Sequence, residues 1–354
     1  MSHFSVLGVV SPELFNSCKS IVKVSQQLFG KKEDEVLDRK IKRLAISDSI
    51  AKLLAPYQEN NMGDCPDEYL TFINEREAVE KACETVISAG SYMAKENPDF
   101  VGKTIGDLCK YRNGLELFDE KFGKVFPEEK GFPRGRELTP LDLVAIYHFE
   151  YDCKVGDDGT MQYGWVGNPN SKWDWYQIGG RFTSALYDKT RGGEGCDIIQ
   201  RKNLDVDLIQ ASREEQIDTF WRKFQRYITS EDDHNAALFY GFYHDAYRMG
   251  LDYTEVDDGK IAKDFEDGNR SAIKDYYKNE LTYEKLTTEY AWHFNWRTYA
   301  VVSEDGWSAP GDVVWFGAST DSASDGNVWA KNYLERFILS GDPEDYLVLI
   351  DCHT

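Results

Sequence analysis

The stretch from 168 to 182 gathers most of the side chains in this sequence that could hold a ligand. It runs Asn-Pro-Asn-Ser-Lys-Trp-Asp-Trp-Tyr-Gln-Ile-Gly-Gly-Arg-Phe, and with Trp165 it sets three of the nine tryptophans within eleven residues. Asn-Pro-Asn favours a turn, while Gly179 and Gly180 allow close backbone approach or a positive φ. Arg181 follows with a planar fork suited to a carboxylate or a phosphate. Trp173, Trp175 and Tyr176 offer flat faces for a base or another ring, a stack worth roughly 1–3 kcal/mol in single-strand binders. Lys172, Asp174 and Gln177 complete the candidate ligand-binding set with Gly179, Gly180 and Arg181. The plainer alternative is that the aromatics anchor an irregular loop and Arg181 pairs with a buried acid.

Histidines and carboxylates form a second group. His148, Glu150 and Asp152 alternate in His-Phe-Glu-Tyr-Asp, which on a strand would point all three to one face. Asp351 and His353 alternate near the C-terminus, and His3 lies in the first apolar segment. If the first and last strands pair, His3 and His353 converge with Asp351. Such a group could bind a metal or transfer protons. The candidate catalytic residues are therefore His148, Glu150, Asp351 and His353, with no metal and no cofactor expected. Each histidine could equally be satisfied by a neighbouring carboxylate in a purely structural role. A third cluster, Trp292 to Arg297 with Trp307, Trp315, Phe316 and Gly317, reads first as hairpin core.

The elements that must position these residues are legible in outline. Residues 2–10 read as a strand that is apolar on both faces, and Pro12 opens a helix in its first turn. Residues 31–54 have helical periodicity and 74–93 form another amphipathic helix. Residues 125–137, with two prolines and two glycines, read as a surface loop or a weak boundary. The segment 141–153 reads as a strand, followed by a Gly-Asp-Asp-Gly turn at 156–159 and a return strand at 160–166. Helices are expected at 213–229 and 235–249, then a polar stretch to about 289. A hairpin is expected across 297–303 and 312–316, a helix at 327–339 and a last strand at 346–353. The fold class is thus α+β: a mainly antiparallel sheet holding both terminal strands, with inserted helices. We expect one domain over 1–354, with a helical insertion at about 12–50 and a helical subdomain at about 205–290.

Composition narrows the classes. The chain has 354 residues, is 41% hydrophobic and 29% charged, and carries a net charge of −21, so it suits a folded protein and opposes bulk nucleic-acid binding. Seven scattered cysteines without a C-x-x-C pair argue against zinc ribbons and a disulfide framework. No signal peptide and no membrane span are evident, which leads us to expect a cytoplasmic protein. Phosphate-loop, dinucleotide-fold, zinc-protease, nucleophile-elbow and EF-hand motifs are missing.

Several of these motifs together resemble an uncharacterised protein family of tailed bacteriophages and mobile elements. They are the Ser-His-Phe start, Leu-Ala-Pro-Tyr at 54–57 with Glu59, Lys-Trp-Asp-Trp-Tyr-Gln-Ile-Gly-Gly-Arg at 172–181, Trp-Phe-Gly at 315–317 and the terminal Asp-Cys-His. The chain departs from the family pattern in its insertion at 12–50 and in Val313-Val314, where relatives have Met-Gly. The resemblance implies a phage accessory protein in the host cytoplasm, with anti-defence as a natural role, and it implies no particular chemistry. Three functions compete. One is a protein binding a small nucleotide-like ligand and sequestering a host immune signal; the second is an enzyme acting on such a ligand. The third is an acidic DNA mimic or protein-interaction inhibitor. The expected partners are a nucleotide-like small molecule and a host defence protein, with self-association left open.

Overall fold

Eight residues at each end of the chain account for the centre of the sheet. In the computed structural model, which describes residues 3–28, 35–91, 94–95, 98–113, 130–132, 137–231, 236–249, 270–312, 320 and 322–354, the strand His3–Val10 pairs antiparallel with the strand Tyr346–His353. The register matches His3 to His353, Ser5 to Asp351 and Val10 to Tyr346. On its other side the first strand pairs parallel with Ala300–Ser303, which forms a hairpin with Gly306–Ser308. The last strand also pairs antiparallel with Trp175–Ile178 and Ile198–Gln200, giving a mixed six-stranded sheet. Both terminal strands lie in one sheet, as their apolar patterning predicts.

Alternation decides what covers each face. Phe4, Val6 and Val10, with Val348, Ile350 and Cys352 beside them, are buried under the helices Pro12–Leu28 and Glu35–Leu54 through Phe15, Cys18, Ala45, Ile46, Ile50 and Leu54. Ser11 starts this helical pair: its hydroxyl accepts from the N–H of Leu14 at 3.1 Å. Gly8 lies beneath Ile50, whose Cδ1 occupies the space a Cβ would need. On the other face Leu7, Leu347 and Leu349 pack with Ile199, Leu204, Tyr333 and Ile338. His3, Ser5, Asp351 and His353 continue this face to the other end of the two strands, with Asp351 and His353 buried. One end of the second face is therefore polar.

Contacts divide the chain into two compact units, Met1–Gln58 with Lys172–Thr354, and Glu59–Ser171, where the sequence suggested a single domain. The first unit also holds the helices Val206–Thr229, Ala236–Arg248, Arg270–Glu280 and Tyr283–Thr288. These enclose an aromatic core of Phe220, Phe224, Tyr227, Phe239, Phe242 and Tyr277. The polar stretch expected before residue 289 contains the last two of these helices. Within the hairpin expected at 297–316, residues 313–319 lie outside the described residues, and the pairing strand is Gly306–Ser308.

The second unit has the antiparallel sheet Thr71–Asn74, Met161–Gly167 and Asp152–Val155, packed with the helices Arg76–Glu84, Ile105–Asn113 and Pro140–Tyr147. The turn at 156–159 forms as expected, with Gly159 at φ 78°. Two expectations fail here. The helix expected over 74–93 is Arg76–Glu84, preceded by a strand that ends at Asn74. The strand expected over 141–153 is instead a helix over Pro140–Tyr147, set by a Thr139–Asp142 capping box, and strand geometry begins only at Asp152. Glu150 takes a positive φ of 59°, so His148, Glu150 and Asp152 do not share a strand face. Among the described residues, no helix is long and apolar enough to cross a membrane.

Candidate functional site: two facing histidine–aspartate pairs

The register places His3, His353 and Trp175 side by side on three adjacent strands. Nδ1 of His3 lies 2.8 Å from Oδ1 of Asp351, and Nδ1 of His353 lies 2.6 Å from Oδ1 of Asp174. An ionised carboxylate only accepts, so each Nδ1–H donates and each Nε2 is left to face other groups. The two imidazole centroids are 5.1 Å apart and the rings meet edge to face at 75°. Trp175 stacks on His353 at 5.5 Å and 17°, and meets His3 edge-on at 5.2 Å.

Asp351 is the centre of this arrangement. Its side chain is only 2% exposed, and its second oxygen accepts the backbone N–H of Arg181 at 2.9 Å. That bond requires the chain to pass directly over the carboxylate. Gly179 and Gly180 make the passage possible, with φ of 76° and 55°, and a Cβ on Gly180 would lie 2.5 Å from Oδ2 of Asp351. The Arg181 side chain is exposed, and among the described residues no carboxylate pairs with its guanidinium. The buried acid expected as a structural partner binds the arginine's backbone instead.

The candidate motif divides between two faces. Trp173 is buried, its indole N–H donating to the Leu54 carbonyl at 3.0 Å, and Tyr176 packs edge-on against it at 5.1 Å. Burial raises the pKa of the Tyr176 phenol. Lys172 forms an ion pair with Asp312 at 2.7 Å. Asp174, Trp175 and Gln177 belong to the histidine face, and Trp175 is 41% exposed. Read as a strand, Trp175–Ile178 already implies this division, because alternate residues point to opposite faces. The role of Asp174 behind His353 carries no such signal, since it depends on a pairing across the sheet.

His148 and Glu150 belong to the second unit. His148 caps the C-terminal end of Pro140–Tyr147, with its ring edge-on to Phe149 at 4.8 Å, and desolvation lowers its pKa. Of the third cluster, Phe294 enters the aromatic helical core and Trp307 packs on Tyr57 and Phe4, while Trp315, Phe316 and Gly317 lie outside the described residues. Trp307, Trp329, Arg336 and Phe337 also line a separate hollow of about 440 Å³ in the first unit. Among the described residues, no three His, Cys, Asp or Glu side chains converge as metal ligands. Compared with known proteins, the chain matches no family model, no curated protein and no solved structure.

Proposed function

We propose that the first unit binds a small, nucleotide-like ligand at the polar end of its sheet. The observation that carries this reading is that Asp351 and its histidines bring two exposed side chains to one end of the sheet, Trp175 stacked on His353 and Arg181 held by its backbone N–H, whose guanidinium has no carboxylate partner among the described residues. An aromatic face suits a base and an unpaired guanidinium suits a phosphate. A net charge of −21 over the whole chain disfavours long polyanions, which points to a small ligand and not to a nucleic-acid duplex. In the phage setting implied by the motif resemblance, such a protein would withdraw a signalling nucleotide from host defence.

Tryptophan fluorescence titrated with adenosine 5′-monophosphate and with a cyclic dinucleotide tests the reading. The expected result is saturable quenching that Trp175→Ala and Arg181→Ala each weaken at least tenfold, while thermal unfolding stays close to that of the unaltered protein. If Arg181→Ala lowers the melting temperature by several degrees and leaves quenching unchanged, Arg181 is structural and the reading fails.

A further inference from the structure

The Nε2 atom of His353 is buried and has no hydrogen-bond partner, and the side chain that carries it is 9% exposed. A buried polar atom left unpaired costs on the order of 1–3 kcal/mol, so its persistence calls for a reason. With Nδ1–H committed to Asp174, the neutral ring presents a bare lone pair at Nε2. Beside it stands a second imidazole, oriented by its own carboxylate, Asp351. Two carboxylate-backed rings 5.1 Å apart match the requirements of a reaction that removes a proton at one oxygen and supplies one at another.

We propose that His353 and His3 act as base and acid in cleaving the phosphodiester of a bound ribonucleotide; this rests on the binding reading above. Nε2 of His353 is shielded in the unliganded chain, so the ligand must first displace the neighbouring Trp175 or His3 ring; the ribose 2′-hydroxyl then gives its proton to Nε2 as its oxygen forms a bond to phosphorus. The bond from phosphorus to the 5′-oxygen breaks, and the leaving oxygen takes a proton from Nε2 of protonated His3. The products are a 2′,3′-cyclic phosphate and a 5′-hydroxyl. Proton exchange with water returns His353 to its neutral form and His3 to its protonated form, so no oxidant, metal or co-substrate is consumed. Asp174 and Asp351 are positioning residues that hold each ring by Nδ1 and favour the imidazolium when it forms. The guanidinium of Arg181 offers charge to the phosphate oxygens.

The test uses the full chain with two probes, the linear diribonucleotide ApA and its 2′-deoxy analogue, with products separated by chromatography and identified by mass. The expected result is adenosine 2′,3′-cyclic phosphate and adenosine from ApA, with the deoxy analogue bound and recovered intact. His353→Gln and His3→Gln should each slow cleavage by about 10²–10⁴-fold, while binding of the deoxy analogue persists and shows that each variant is folded. ApA that binds and is recovered whole overturns the catalytic proposal and leaves the binding reading standing. If neither probe binds, both fail. Cleavage that survives in both variants also overturns the assignment, because the activity then lies elsewhere.

Discussion

Gly180 lies over the Asp351 carboxylate with a φ of 55°, in space that no side chain could share. Gly180→Ala should therefore destabilise the protein by about 1–3 kcal/mol and loosen the His3–Asp351 pair; chemical denaturation checks the first effect. A midpoint equal to that of the unaltered protein would show that the close passage is not required. The two tryptophans of the motif offer a sharper contrast. Trp173→Phe removes the buried hydrogen bond from the indole N–H to the Leu54 carbonyl and should cost about 1–3 kcal/mol. Trp175→Phe removes no hydrogen bond found among the described residues and should alter stability by no more than about 0.5 kcal/mol. Parallel urea titrations of the two variants separate these outcomes. Equal losses would mean that both tryptophans are structural.

The helical pair Pro12–Leu28 and Glu35–Leu54 is the lid of the sheet's first face, and Ile50, fully buried against Gly8 and Ile350, fastens it. Ile50→Ala should cost about 2–5 kcal/mol, whereas Ile21→Ala, at a residue 57% exposed, should change little; thermal melts of both variants check the difference. Elements of this kind were readable where one periodicity ran without interruption. The strands at 3–10 and 346–353 announce themselves by apolar residues on both faces, and their pairing brings His3 to His353 as the alternation of Asp351 and His353 suggested. The segment at 141–153 misled because its apolar run fits either a strand or a buried helix. The Thr139–Asp142 capping box, a local signal, decides for the helix. No local signal could reveal that Asp174 backs His353, or that residues 59–171 form a unit of their own, since both depend on contacts between distant parts of the chain.

At the scale of the whole molecule, stability should fall as pH rises into the alkaline range. Burial pushes the Tyr333 phenol well above its ordinary range, and the hydroxyl is held 2.7 Å from Oγ1 of Thr298. The unfolded chain loses this proton near pH 10 while the folded chain keeps it, so the stabilisation is complete below about pH 10 and falls as pH rises further. The slope approaches about 1.4 kcal/mol per pH unit for each such tyrosine. Tyr176 and Tyr290, also raised by burial, add in the same direction. Urea midpoints that stay level between pH 9 and 11 would contradict this. The proposed ligand site at the polar end of the six-stranded sheet is tested most directly by nitrogen-resolved NMR of the imidazole and indole groups. On adding adenosine 5′-monophosphate, the His353, His3 and Trp175 ring signals should shift together and saturate, while those of His148 and Trp329 remain in place. Saturating shifts confined to Trp307 and Trp329, or no shift at His353, would contradict the account.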